Sequence, residues 1–91
     1  MIIVFRSAFL KALKKKDIRI RKSFKHRIEL FEKNPNNPQL NNHALQREWE
    51  GYRSINITSD WRAIYEEVHE EGGTIVYFIP LGKHKELYQI N

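Results

Sequence analysis

Apolar positions along the chain change period in a way that sets out its elements. Ile2-Ile3-Val4-Phe5 is a short β-branched and aromatic run that predicts a first strand. Phe9, Leu10 and Leu13 form a stripe suited to a short helix, with Ser7 placed to cap it and Lys14-Lys15-Lys16 at its end. From Asp17 onward, Ile20, Phe24, Ile28 and Phe31 recur at intervals of four, four and three, which puts them on one face of a longer helix. Arg19, Lys22, Lys25 and Arg27 then fall off that face, and the two helices read as an antiparallel hairpin turning near Lys16-Asp17. Asn34-Pro35-Asn36-Asn37-Pro38 ends the second helix, because proline cannot continue it and asparagine tolerates turn geometry.

Beyond about Trp49 the period shortens toward two. Arg53 to Thr58 alternates, with Ile55 and Ile57 on one face and Ser54 and Asn56 on the other. Thr58-Ser59-Asp60 reads as a turn, Trp61–Val68 as a strand and Glu70-Glu71-Gly72-Gly73 as a hairpin loop. Thr74–Leu81 is a strongly β-forming run that predicts a buried central strand. The order β-α-α-β-β-β predicts an α+β domain, an N-terminal strand and helical hairpin packed on a small antiparallel meander. Residues 1–91 form one domain with no internal repeat. A chain this short buries only about 60% of its unfolded surface, so its core is thin.

Composition narrows the chemistry. There is no cysteine, which removes disulfides, cysteine-based zinc sites and thiol nucleophiles together. A small exported domain usually needs such staples, and Arg6 interrupts the only apolar run near the N-terminus, so the expectation is a soluble cytoplasmic protein with no membrane role. The net charge of +5 is unevenly spread. Residues 1–26 carry nine basic residues and one acid, a net of +8, whereas residues 27–91 carry a net of −3. A basic block of this density suits a polyanion such as nucleic acid, because each neutralised phosphate releases counterions. A solvated helical face and an acidic protein partner remain as alternatives.

Four histidines stand at no metal-ligand spacing, and no metal or other cofactor is expected. His26 and His69 read as surface residues. His43, at the end of the Asn/Pro-rich loop, and His84, between Lys83 and Lys85 beyond the last strand, have neighbours that suit proton transfer near a phosphate. In Asp60-Trp61-Arg62, the arginine lies on the opposite face of its strand from the tryptophan. It is suited either to a phosphate or to an ion pair with Glu48, Glu50 or Glu66. Trp49, Tyr52 and Trp61 could stack bases or pack the core.

The ordered series His43-Ala44-Leu45-Gln46, Trp49-Glu50-Gly51-Tyr52-Arg53, Asp60-Trp61-Arg62-Ala63-Ile64-Tyr65 and Gly82-Lys83-His84-Lys85-Glu86-Leu87-Tyr88 resembles the RelE/ParE toxin superfamily, closest to its YafQ-type branch. The resemblance covers about residues 40–88 by motif and the whole chain by element order. It implies a curved antiparallel sheet with an N-terminal helical hairpin, and a toxin of a type II toxin–antitoxin pair. The activity it implies is ribosome-dependent, metal-independent cleavage of mRNA, in which the ribose 2′-hydroxyl attacks its own phosphodiester. Under that resemblance His84 is the general acid, His43 a base or substrate-orienting group, and Asp60 a proton acceptor or histidine orienter. Tyr88 stacks on or positions the substrate, and Arg62 meets the phosphate. Lys14, Lys15, Lys16, Arg19, Lys22, Arg53, Lys83 and Lys85 would grip ribosomal RNA or substrate. The partners it implies are a cognate antitoxin, the ribosome and mRNA, with operator DNA reached only through the antitoxin complex.

The chain departs from the branch at three positions. Ser54 and Asn56 stand where YafQ-like sequences often have an aspartate and a second histidine, and Pro80 where they tend to have an arginine. Asn56 can hydrogen-bond but cannot carry a proton near neutral pH, which leaves the division of acid and base roles open. Two other readings stay beside the ribonuclease: a ParE-like toxin that poisons a topoisomerase, and a catalytically inactive member kept as a binding module.

Overall fold

The structure, a computed structural model, describes residues 1–83. Strand β1 (Ile2–Phe5) leads into helices α1 (Ser7–Lys14) and α2 (Ile18–Lys33). A 3₁₀ turn at Pro38–Leu40, strand β2 (His43–Ala44) and a second 3₁₀ turn at Arg47–Trp49 follow. Strands β3 (Arg53–Asn56), β4 (Trp61–Glu70) and β5 (Gly73–Lys83) complete the fold. It is the α+β architecture expected from the pattern, an N-terminal strand and a helical hairpin on a curved sheet.

Local chemistry explains the helix ends. Asp17 caps α2, its carboxylate accepting from the Arg19 backbone N–H at 2.7 Å. Ser7 does not cap α1. The capping position is Arg6, which makes no side-chain cap bond, because Arg6 N–H still donates to Phe78 O at 3.0 Å and so extends the β1–β5 pairing by one residue. Asn34 and Asn37 close the following turns, their side chains accepting from the N–H groups of Asn36 and Gln39.

The sheet order is β1-β5-β4-β3-β2. β1 runs parallel to β5, and every other neighbouring pair is antiparallel. Two features lie outside the sequence reading. One is the two-residue strand β2, and the other is the parallel closure that joins the first and last strands. Pairing of Ala63 with Leu81 and of Tyr65 with Phe78 leaves one extra residue on β5, a bulge that contains Pro80. Proline has no N–H for a ladder, so an irregular position is where a central strand tolerates it.

Phe24, Ile28 and Phe31 of α2 are buried, as their spacing predicts, and Ile20 is half-buried. They meet Phe9, Ile55, Ala63, Tyr65, Val76 and Phe78 on one face of the sheet. Phe5, Phe9, Phe24, Phe31, Tyr65 and Phe78 form a continuous ring cluster, with Phe31 5.2 Å from Tyr65 and Phe9 5.8 Å from Phe78. Leu10 does not join this stripe and remains 41% exposed, since the eight-residue α1 buries only Phe9 fully. The helices therefore cover one sheet face, and alternation sends His43, Ser54, Asn56 and Arg62 to the other.

Candidate active site

The site begins with a buried cation. Arg62, second residue of β4, is only 5% exposed although it lies on the face away from the helices. Register places Asn56 directly opposite it on β3, and Ser54 two residues further along the same face. Its guanidinium donates through Nε to the Ser54 hydroxyl and through Nη1 to the Asn56 side-chain carbonyl. Nη2 donates to the backbone carbonyl of Asn41 at 3.1 Å and lies 3.3 Å from His43 Nδ1. Arg62 is thus not a surface arginine. It is a fixed positive charge set among polar groups of the 41–43 loop and β3.

His43 is held beside it. β2 pairs His43 with Ser54, so the imidazole shares the face that carries Arg62. Its Nδ1 lies 2.9 Å from Asn41 O. A carbonyl oxygen only accepts, so this shorter contact favours the proton on Nδ1 and Nε2 as the acceptor nitrogen of the neutral ring, with Arg62 Nη2 donating to the same carbonyl and not to the ring. Asn41 directs that carbonyl from a left-handed backbone (φ 45°, ψ 49°), a conformation asparagine adopts more readily than most side chains. Among the described residues, the ring is oriented by a backbone oxygen and not by a carboxylate.

Asp60 sits in the exposed turn just before β4, with its N–H 3.3 Å from Thr58 Oγ1. The turn is tied to the helices at two points. Ser23 Oγ donates to Ile57 O at 3.0 Å, and Lys16 Nζ lies 4.1 Å from the centre of the Trp61 ring. Lys16 is therefore half-buried against a tryptophan, whereas Lys14, Lys15 and Lys22 are exposed. Arg19 pairs with Asp17 at 3.1 Å. That hydrogen bond, with the Arg19 backbone N–H, holds the Asp17 carboxyl below its ordinary value.

Arg53 is apart from this group. It lies on the helix-side face of β3, where its Nε donates to Asn42 Oδ1 at 2.9 Å. The recess there, about 350 Å³, is also lined by Phe31, Tyr65 and Glu67. Lys83 ends β5 in register with Trp61. His84, Lys85 and Tyr88 lie outside the described residues. His26 and His69 are exposed, as expected of surface histidines. Among the described residues, no three side chains of His, Asp or Glu converge to hold a metal ion, and no helix is long and apolar enough to cross a membrane.

Sequence reasoning missed Asn41 and Asn42 and treated Ser54 and Asn56 only as departures. The β3–β4 alternation was the available signal for the latter two, since it puts both on the face of Arg62. Asn41 acts through its main chain, which no side-chain pattern reveals.

The model of the YafQ family, bacterial toxins of type II toxin–antitoxin systems, matches residues 2–89. The chain belongs to this family. YafQ from Escherichia coli is 26% identical, with a TM-score of 0.69 over 94% of this chain and 96% of that one. In the DinJ–YafQ complex of Escherichia coli the corresponding values are 25% and 0.62, over 94% and 96%. A YoeB/ParE toxin from Agrobacterium tumefaciens shares the fold at 18% identity, with a TM-score of 0.74 over 92% and 99%. No curated protein is significantly similar in sequence. Membership of the YafQ branch accounts for the ordered motifs and for the fold.

Proposed function

We propose that this YafQ-family toxin is a metal-independent endoribonuclease that cleaves mRNA on the ribosome and is neutralised by a cognate antitoxin. The observation that carries the reading is the pair on the sheet face away from the helices: an imidazole with Nδ1 against the Asn41 carbonyl, beside a fixed guanidinium. In the reaction, His43 Nε2 takes the proton of the ribose 2′-hydroxyl, and the 2′-oxygen attacks the adjacent phosphorus. The bond to the 5′-oxygen breaks, and His84 supplies the proton to that leaving oxygen. The products are a 2′,3′-cyclic phosphate and a free 5′-hydroxyl. Arg62 places positive charge beneath a phosphorane that gains negative charge, where the surrounding protein screens it less than water would. Asp60 serves as a second acceptor at the turn before β4, and Tyr88 positions a base. Lys14, Lys15 and Lys22 face the ribosomal RNA. The DinJ–YafQ complex supports an antitoxin partner, and an acidic segment of it would suit the basic N-terminal third.

The test is cleavage of a defined mRNA on purified ribosomes, followed by end-group analysis. Cyclic phosphate and 5′-hydroxyl ends are expected, with His43→Ala slower by roughly 10²–10⁴-fold, the usual contribution of a general base. Cleavage at an unchanged rate in His43→Ala would remove this histidine from the chemistry. Absence of cleavage by the wild type would favour the topoisomerase poison or the inactive binding module.

A further inference from the structure

We propose that Asn42 is a positioning residue that fixes the tautomer of His43 from the opposite face of the sheet, an inference that rests on reading His43 as the base. Asn42 stands between the residue whose carbonyl holds the imidazole and the imidazole itself. Its own side chain turns the other way. Nδ2 donates to the Tyr65 hydroxyl at 2.7 Å and to Pro35 O at 2.9 Å, while Oδ1 accepts from Arg53 Nε at 2.9 Å. The three partners belong to β4, to the loop after α2 and to β3, so the amide is triangulated by separate parts of the fold. Tyr65 is only 1% exposed and is packed against Phe31 and Phe78, which makes it a rigid anchor.

The loop needs such an anchor. Asn41 has left-handed backbone geometry, which even an asparagine keeps only where its surroundings hold it. β2 is two residues long and pairs with β3 only at His43 and Ala44. The Asn41 carbonyl also accepts from Arg62 Nη2 at 3.1 Å on the site face, and the Asn42 amide anchors the same backbone from the helix side. The neutral imidazole in water prefers its proton on Nε2, which would leave no acceptor facing the substrate. Asn42 therefore sets which nitrogen is the base, without touching the substrate.

Long-range ¹H–¹⁵N spectra of histidine-labelled full-length toxin, recorded where His43 is neutral, read the tautomer directly. The wild type should show a protonated Nδ1 and a bare Nε2. Asn42→Ala should shift His43 toward the Nε2–H form and slow RNA cleavage by roughly 10–10²-fold, the scale of a small misplacement of a reacting group. Asn42→Asp keeps an acceptor for Arg53 and can accept from the Tyr65 hydroxyl but sets a carboxylate oxygen against Pro35 O, so it should retain only part of the Nδ1–H form. Tyr65→Phe removes one of the three bonds with the ring retained, and should give a mixed population. These two variants carry the test if Asn42→Ala fails to fold. A wild-type ring protonated on Nε2, or an unchanged tautomer in a folded Asn42→Ala, overturns the proposal. If the wild type does not cleave RNA, the ribonuclease reading fails, while the spectra still decide the role of Asn42.

Discussion

Arg62 shows how one side chain can hold the fold together and, in the proposed reaction, also meet the phosphate. A guanidinium at 5% exposure is stable there because oxygens of Ser54, Asn56 and Asn41 accept from it. Those oxygens in turn rely on its N–H groups. Arg62→Ala removes a donor shared by these oxygens, of which the Ser54 hydroxyl is fully buried, at a cost on the order of 1–3 kcal/mol. Denaturant titration should therefore show a lower midpoint for this variant with an unchanged m-value, and cleavage should fall with it. Unchanged stability would mean that water replaces the guanidinium freely and that the cation is not structural. The same view accounts for Ser54 and Asn56. Neither carries a proton, but together they hold the cation in place, which explains how the site accommodates neutral residues on β3.

At the scale of elements, periodicity was a sound guide wherever a face is buried. The four-four-three spacing of α2 marked its core side chains because the helix has one apolar partner, the sheet. The turn at Glu70–Gly73 was equally legible, since Gly72 has a φ of +98° that other residues avoid. β2 was not legible. Two residues carry no alternation, and their strand character comes from pairing with β3. The parallel pairing of β1 with β5 was hidden for a related reason, because it joins Ile2 to Ile75 across nearly the whole chain. Around Arg62, the shared face of Ser54 and Asn56 was legible from alternation, whereas Asn41 and Asn42 make their contacts through a backbone carbonyl and a half-buried amide, which no side-chain pattern reveals. The Asp17 cap supports a pH prediction. Its folded-state pKa is depressed, so the stabilisation is complete above the unfolded value and is lost as pH falls through the folded one. Thermal melts should weaken below about pH 4, and Asp17→Asn should lack this part of the acid limb. Parallel pH profiles for the two proteins would show that the carboxylate charge contributes nothing to the cap.

At the scale of the whole molecule, the basic charge and the proposed catalytic site fall in two regions. The N-terminal third carries a net of +8, and its exposed lysines lie on the helical hairpin, while the imidazole–guanidinium pair lies on the sheet face away from the helices. The basic hairpin would supply affinity and the sheet face chemistry. Lys14→Gln with Lys15→Gln should weaken ribosome binding and lower its salt slope by up to about 0.9 per lysine. Lys16 is best left in place in that experiment, because it packs on Trp61. An unchanged slope would show that the cluster faces something other than RNA. The central claim, that this toxin cuts mRNA through histidine-borne proton transfer, is tested most directly by primer extension on a defined mRNA in a translating extract, with wild type and His84→Ala side by side. The account predicts discrete, codon-phased cuts from the wild type and none from the variant. Equal cutting by both would contradict the role of His84, and no cutting at any wild-type concentration would contradict the ribonuclease itself.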